Sequence, residues 1–325
     1  MKKGIIFANS RAKAKEMTLL SEERLQRMME CKNLSDAIRI LIEANYAGGM
    51  VVEDDNFYDL LIEEENIVTS FVREVAPENA GFECFFLRND YHNVKALLKA
   101  KYGNIEDMTP LILPDGNYPY AKLKEWLDSD KLSFTVYVEE AVKKITKAFE
   151  TGNGSPRLID VEMDKAMYKD MASRLEKVND KYIKQYFVTL IDSTNILTYL
   201  RVKKINGVYA FFADNFVEGG SLSLKQFEEV NMDEAKLIKL VSGTVYKEFF
   251  DKISGGDLSA YETMQDNYLL KIFSINKTDM FSVAPIVGYY LAKLNEIKVL
   301  RVVLVCIKNK VSFEEMKKRV RTLYA

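Results

Sequence analysis

The chain has 325 residues, of which 48% are hydrophobic and 29% are charged, and its 46 basic and 48 acidic residues nearly balance. This length exceeds one ordinary hydrophobic core and fits two or three domains of about 100–150 residues, with the composition of a globular chain. The balanced charge excludes a global field that would attract nucleic acid, so we predict no nucleic-acid partner. Glycine (15) and proline (6) are scarce, which favours long helices over many short strands.

The cysteines and the apolar runs indicate the cellular compartment in which the chain would work. Cys31, Cys84 and Cys306 are far apart and odd in number, which predicts free thiols in a reducing cytoplasm rather than disulfides or a zinc site. The chain does not start with an apolar run long enough for a secretory signal. The longest apolar stretch, 281–292, is well short of the roughly 20 residues that span a bilayer. We therefore expect any work at a membrane to depend on a partner protein.

Helical periodicity dominates the first third of the chain. Residues 8–30 predict one amphipathic helix without glycine or proline, and residues 54–72 predict another. In the segment 84–99, Asp90 stands between two apolar runs, which predicts a helix N-cap between two helices.

The middle of the chain alternates predicted helices with predicted loops. Segment 103–119 holds three of the six prolines and predicts a linker that ends the first domain. Residues 120–150 and 158–189 predict helices on either side of a loop at 151–156. The aromatic-rich stretch 206–222 predicts a loop that joins the second domain to the third.

The start of each of the last two helices is marked by local signals. Pro285 suits the first turn of a helix. Ser312 and Glu315 predict a capping box for the final helix. Its apolar stripe would consist of Phe313, Met316, Val320 and Leu323.

An internal repeat links these segments. Segments 84–99 and 186–201 align without gaps, and their shared Asp-x-x-Asn step recurs after 102 residues, from Asn93 to Asn195. About one more period leads to 294–303, where the aspartate is absent. We predict three similar helical domains with the bounds 1–105, 106–215 and 216–325. The alternative is that two helix–loop–helix elements look alike because each needs a cap.

The residues that usually carry chemistry are missing. His92 is the only histidine, which excludes a histidine-based triad or a multi-histidine metal site, and we predict a surface or capping role for it. The glycine-rich segment 151–157 lacks the Gly-Lys-Ser/Thr end of a phosphate-binding loop. Carboxylate runs such as 63–65 predict solvated helix faces. We therefore predict no catalytic, cofactor-binding or metal-binding residue and no cofactor, although carboxylate chemistry assembled across helices stays an open alternative.

The last 42 residues resemble the end of the C subunit of V-type and A-type ATP synthases, whose equivalent in eukaryotic vacuolar ATPases is the d subunit. The residues that carry the resemblance are Pro285, Gly288, Tyr289, Tyr290, Ala292, Lys293, Asn295, Glu296, Ile297, Arg301 and Tyr324. The segments 10–20 and 89–102 are similar to the same family, so the resemblance covers nearly the full length. Leu294 stands where the family pattern has a glutamate, so no ion pair is carried over to Arg301.

The resemblance implies an all-α, funnel-shaped protein of three similar helical domains with pseudo-threefold symmetry. It implies a non-catalytic rotor subunit on the cytoplasmic face of the membrane. Its partners would be the central stalk subunits and the membrane proteolipid ring. It would transmit the torque that couples ATP synthesis or hydrolysis to H⁺ or Na⁺ transport. A helical-repeat adaptor unrelated to ATPases is the alternative that the residues alone leave open.

Overall fold

The structure is a computed structural model. It describes residues 4–53, 56–78, 80–105, 111–129, 134–251, 253, 258–320 and 323. Within these residues the chain is helical and contains no strand, which confirms the predicted all-α class. Residues 106–110 of the predicted linker, residues 54 and 55 of a predicted helix, and Tyr324 lie outside the described residues.

The α-helices of the described part are α1 (Ile5–Glu16), α2 (Glu22–Met29), α3 (Leu34–Glu43), α4 (Phe57–Val75), α5 (Glu83–Gly103), α6 (Tyr120–Asp128), α7 (Val136–Glu150), α8 (Pro156–Glu176), α9 (Lys181–Lys204), α10 (Tyr209–Ala213), α11 (Leu224–Val230), α12 (Glu234–Val241), α13 (Val245–Phe250), α14 (Ser259–Ser274), α15 (Ala284–Lys308) and α16 (Phe313–Arg319). A short 3₁₀ turn (Tyr46–Gly49) follows α3.

The predicted single helices at 8–30 and 158–189 are wrong, because each range contains two helices. The range 120–150, predicted to be helical, also holds two helices in its described part. In each case the second helix starts at a polar N-cap, namely Ser21 for α2, Thr135 for α7 and Asp180 for α9. Each of these side chains accepts a hydrogen bond from a backbone N–H of the first turn, which stabilises a new helix start. Hydrophobic periodicity continues across such a break and therefore does not reveal it.

The predicted starts of the last two helices are confirmed, but of the predicted capping box only the Ser312 half is observed, since the Glu315 carboxylate pairs with Lys318. Pro285 lies in the first turn of α15, and the Ser312 side chain accepts a hydrogen bond from the Glu315 backbone N–H at the start of α16. The helix ends at Arg319, so Val320 and Leu323 lie beyond it, although both still pack against the hydrophobic core.

One compact unit comprises Met1–Glu78 and Leu270–Ala325. Its centre is α15, of which seventeen of 25 residues are buried. Helices α1, α3 and α4 pack against α15, which explains why its sequence is apolar on most sides. The core at this centre includes Leu60 and Leu61 of α4 and Leu300, Val303 and Leu304 of α15.

The second compact unit comprises Asn79–Leu269. In its first half, α8 packs against both α5 and α7. In its second half, an aromatic cluster holds α9, α10 and α11 together, with the ring centroid of Phe212 lying 5.6 Å from that of Tyr199 and 4.9 Å from that of Phe227.

The three long helices that carry the repeat, α5, α9 and α15, end in the same way. Each is followed by a residue in the left-handed conformation, Asn104, Asn206 or Lys310, with φ of 52°, 53° and 55°. The next N–H bonds to the carbonyl five residues back, as in Schellman helix ends: Ile105 to Ala100, Gly207 to Val202 and Val311 to Cys306. These similar helix ends support the internal repeat that the sequence indicates. The domain bounds after residues 105 and 215 stay a prediction.

Candidate functional site

The sequence predicts no catalytic, cofactor-binding or metal-binding residue, and this stays a prediction. Within the described residues, no group of three or more His, Cys, Asp and Glu side chains is placed to hold a metal ion. His92 lies half-buried on α5 with Nε2 2.9 Å from the Leu111 carbonyl oxygen, which is a structural contact. The three cysteines are free thiols, and burial raises the pKa of Cys84 to about 12, so that thiol is a poor nucleophile.

Asp90, predicted as an N-cap, lies instead within the continuous helix α5, so that prediction is wrong. Its buried carboxylate accepts hydrogen bonds from the Tyr118 backbone N–H (3.0 Å) and the Asn117 side-chain amide (2.8 Å). Three residues on, the Asn93 amide donates to the Leu113 carbonyl (2.9 Å) and accepts from the Leu113 N–H (2.8 Å). These bonds fix the connector after α5 against that helix.

The equivalent side chains of α9 hold the next connector in the same way. Asp192 is fully buried and accepts hydrogen bonds from the Leu222 backbone N–H (3.0 Å) and the Tyr246 hydroxyl (2.8 Å). The Asn195 amide donates to the Val217 carbonyl (2.8 Å) and accepts from its N–H (3.0 Å). We call Asp90 with Asn93, and Asp192 with Asn195, the connector anchors. The repeated Asp-x-x-Asn step therefore encodes a repeated contact with a loop.

In each anchored connector, a glycine lies against the aspartate of the helix, and there is no room for a side chain at this glycine. A Cβ atom on Gly116 would lie 2.3 Å from Asp90 Oδ1, and one on Gly220 would lie 2.1 Å from Asp192 Oδ1. Atoms at this separation overlap, so any larger residue would displace either the connector or the carboxylate. The backbone approaches the helix this closely because its N–H groups bond the carboxylate.

We expect Gly220→Ala to lower the free energy of unfolding by about 2–4 kcal/mol, because overpacking adds to the loss of the bond between Asp192 and the Leu222 N–H. The measurement is urea denaturation. The matched control is Gly103→Ala at the end of α5, where the new Cβ would lie 3.6 Å from the Ile105 side chain. That change is expected to be neutral or to stabilise by up to about 1 kcal/mol. Equal stability of the two variants would contradict the close approach at Gly220.

A third anchor lies on α15, 101 residues after the anchor of α9. Here Lys293 Nζ donates to the Thr18 carbonyl (3.3 Å), and Glu296 Oε2 accepts from the Leu20 N–H (2.6 Å). Residues 18–20 follow α1, so the connector that α15 holds comes from the beginning of the chain. A lysine and a glutamate thus fix this connector, as the Asp-x-x-Asn pairs fix the other two.

Lys293 also joins two carboxylates, and we call Glu64, Lys293 and Glu296 the ionic cluster. Lys293 Nζ lies 2.6 Å from Glu64 Oε1 and 2.7 Å from Glu296 Oε1, and its side chain is 1% exposed. The second oxygen of Glu64 accepts from the Ala47 N–H (2.7 Å). Burial raises the pKa of Glu296, and the positive charge of Lys293 opposes that rise.

Sequence reasoning misses the ionic cluster as a structural centre. Lys293 and Glu296 enter only through the family resemblance, and the run 63–65 predicts a solvated face although Glu64 is 6% exposed. The available signal is the pair of opposite charges at i and i+3 in the apolar first half of α15, which predicts buried, paired charges.

Ion pairs repeat between helices of the second unit. Lys99 of α5 pairs with Asp160 of α8 (2.7 Å), and Arg201 of α9 pairs with Glu262 of α14 (2.6 Å). The basic residues Lys99 and Arg201 are 102 residues apart, and so are the acidic residues Asp160 and Glu262. Because partly exposed pairs contribute only about 0–1 kcal/mol each, their repetition indicates a common helix register more than a source of stability.

Large apolar side chains are exposed at several places and are candidates for partner contact. Phe281 is 81% exposed, and its neighbours Met280 and Ser282 both offer their carbonyls to the buried Asn9 side chain of α1 (2.9 and 2.8 Å). The exposed ring is therefore held on an ordered segment. Other strongly exposed apolar residues are Met17, Val51, Leu111, Ile205, Val208 and Ile275.

Together these features define an all-helical protein in which the buried anchors hold the chain's own connectors in place. The chain belongs to the ATP synthase (C/AC39) subunit family, whose sequence model matches residues 8–319. This confirms the resemblance that the C-terminal residues indicate.

Its similarity to individual members of that family is low in identity and nearly complete in length. The chain is 24% identical to the C subunit of the V-type sodium ATPase of Enterococcus hirae over 329 residues, which cover 97% of this chain and 98% of that protein. It is 24% identical to the C subunit of the A-type ATP synthase of Pyrococcus horikoshii, with 96% and 88% covered. It is 23% identical to the corresponding subunit of Methanocaldococcus jannaschii, with 92% and 81% covered.

Proposed function

We propose that this chain is a non-catalytic rotor subunit of a V/A-type rotary ATPase. It links the central stalk subunits to the membrane proteolipid ring and transmits torque between them, which couples ATP synthesis or hydrolysis to H⁺ or Na⁺ transport. It acts on the cytoplasmic face of the membrane, and its membrane contact is made through partner subunits.

The observation that carries the proposal is the family match over residues 8–319. The relatives that cover almost the whole chain are named as C subunits of V-type or A-type complexes. A match of this length supports a shared role as well as a shared fold, because it extends from α1 to α16.

The architecture within each unit suits a part that carries a load. A torque-transmitting part must resist the sliding of its helices, and connectors are the segments that yield first. In this chain the connectors after α1, α5 and α9 are bonded to long helices by buried side chains. The common ends and anchors of α5, α9 and α15 also support three similar domains. The funnel with a pseudo-threefold axis is part of the proposal.

In the part of the chain that the structure describes, no helix combines the length and the apolar character that crossing a bilayer requires. The alternative of an adaptor unrelated to ATPases is excluded by the family match. Carboxylate chemistry is not favoured by the buried carboxylates described above, because the oxygens of Asp90, Asp192 and Glu296 bond the protein's own backbone and side chains.

The proposal predicts that the tagged chain recovers stalk and ring subunits of a rotary ATPase from native membranes, identified by mass spectrometry. The purified chain alone is expected to hydrolyse no ATP above background. An untagged strain serves as the control for background capture. Recovery of the chain without any rotary ATPase subunit would overturn the linker role, and ATP turnover by the purified chain would overturn the non-catalytic assignment.

A further inference from the structure

The anchor on α15 joins parts of the chain that are very distant in sequence. The bond between Glu296 and the Leu20 N–H spans 276 residues. The bond between Lys293 and the Thr18 carbonyl spans 275. The segment from α1 to Leu20 is thus held on α15 by the ionic cluster and by apolar packing, and on the residues just before α15 by the Asn9 bonds.

The charge of this anchor differs from that of the other two. The anchors on α5 and α9 each combine one carboxylate with a neutral amide. The ionic cluster places two carboxylates around one ammonium, with side chains that are 8% (Glu64), 1% (Lys293) and 2% (Glu296) exposed. With all three groups ionised, this buried site carries one excess negative charge, which is unfavourable in a low-dielectric interior.

We propose that the ionic cluster is a proton-binding clasp. One proton bound to its carboxylates makes the site electrically neutral, and in that state the segment from α1 to Leu20 is held most firmly on α15. When the proton leaves, two carboxylates compete for the single ammonium, and the segment opens more often.

Among the described groups that face Glu296, Lys293 is the only cation, so a bound proton is the simplest way to neutralise the excess negative charge of the ionic cluster. These groups are Lys293 and Tyr289 from α15, Glu64 from α4 and Tyr46 from the turn after α3. The segment after α1 contributes the Leu20 N–H and the Thr18 carbonyl. Several charged groups on the other packed helices are paired elsewhere: Lys13 with Glu16 on α1, Glu22 of α2 with the Leu323 N–H, Asp36 with Arg39 on α3, and Glu315 with Lys318 on α16.

The direction of the pH dependence follows from the pKa of Glu296, which burial raises above its ordinary value of 4.5. The folded site binds the proton more tightly than the open site does. The stabilisation is therefore fully present below about pH 4.5 and is lost as the pH rises through the higher pKa of the closed site. Above that pKa the opening equilibrium becomes independent of pH.

Hydrogen exchange of the intact chain, read by mass spectrometry between pH 5 and 9, tests the clasp. After correction for intrinsic exchange rates, protection of the peptide covering residues 5–20 is expected to fall as the pH rises, by up to about tenfold per pH unit within the titration range. A peptide from α9 in the other compact unit serves as the internal reference, and its protection is expected to stay constant. Protection of residues 5–20 that is constant over this range, or that increases with pH, would overturn the proposal.

Two variants assign the effect to the cluster. Glu296→Gln and Glu64→Gln each remove one carboxylate charge, so each is expected to abolish the pH dependence of protection at residues 5–20. Because the two substitutions lie on different helices, a folding defect in one leaves the other as the test. Glu315→Gln removes a charge from an exposed pair on α16 and is expected to keep the wild-type pH dependence. A pH dependence that persists unchanged in either folded glutamine variant would overturn the assignment.

Discussion

Lys293→Met is expected to lower the free energy of unfolding by about 3–5 kcal/mol, because it leaves two buried carboxylates without their cation. The methionine side chain fills a similar volume, so the loss comes from charge rather than from a cavity. Glu64 and Glu296 would keep their bonds to the Ala47 and Leu20 N–H groups, but they would repel each other in an apolar site. Urea denaturation followed by circular dichroism measures the loss.

Two controls separate charge from packing in this experiment. Lys318→Met removes an exposed lysine whose side chain is 72% accessible, and it is expected to change stability by less than about 0.5 kcal/mol. The triple variant Lys293→Met, Glu64→Leu, Glu296→Leu replaces the whole cluster by apolar groups and is expected to recover much of the loss, because the unpaired charges are gone. Wild-type stability of Lys293→Met would show that the carboxylates do not need the ammonium.

The second large effect is expected for Asp192→Ala, which should cost about 3–5 kcal/mol. The substitution leaves the Leu222 N–H and the hydroxyls of Ser221 and Tyr246 without their acceptor. The Leu222 N–H and the Tyr246 hydroxyl belong to buried residues, and each costs about 1–3 kcal/mol when left unsatisfied, whereas the exposed Ser221 can bond water instead. The removed carboxylate leaves a cavity as well. The same denaturation experiment applies, and near-ultraviolet circular dichroism would report the loosening of the aromatic packing around Tyr246.

Matched substitutions make this result specific. Asp128→Ala removes an exposed aspartate at the end of α6 in the same unit, where a negative charge opposes the helix dipole, so it is expected to be neutral or slightly stabilising. Asp192→Asn keeps one oxygen acceptor and is expected to fall between the alanine variant and the wild type. An alanine variant as stable as Asp128→Ala would show that the connector after α9 does not depend on its anchor.

What the sequence predicts correctly is encoded locally. The all-α class follows from periodicity and the scarcity of chain breakers, and the starts at Pro285 and Ser312 follow from the chemistry of a first turn. The broken helices escape prediction for a related reason. Ser21, Thr135 and Asp180 are ordinary polar residues in sequence, and their role as caps depends on a backbone turn that periodicity does not report.

The anchors show where local reasoning ends. The Asp-x-x-Asn repeat is visible in the sequence, yet local reasoning assigns Asp90 to a cap because its partners, Asn117 and Tyr118, lie 27 and 28 residues further on. A polar residue between apolar runs suits a cap and suits equally a buried helix that meets a loop. Only the tertiary contact distinguishes the two.

The third anchor is beyond the reach of sequence patterns for a stronger reason. Its residue types change, from aspartate and asparagine to Lys293 and Glu296, so the repeat period leads to this region but the Asp-x-x-Asn step does not mark it as an anchor. Its partners lie near the opposite end of the chain. Sequence spacing alone does not indicate contacts that span 275 and 276 residues.

That contact also bears on the order of the elements along the chain. The Leu323 N–H donates to Glu22 Oε1 (3.1 Å), so the last described residue lies beside the start of α2, next to the segment that α15 holds. In a circularly permuted chain that began at α2, residues 4–20 would follow α16, and the new linker would have to reach from Leu323 to the start of α1, a helix of 12 residues. In such a chain the connector would lie C-terminal to the helix that anchors it, as the connectors after α5 and α9 already do. Residues 4–20 and α15 thus repeat the contact between helix and connector seen at α5 and α9, with the two pieces meeting through Lys293 and Glu296.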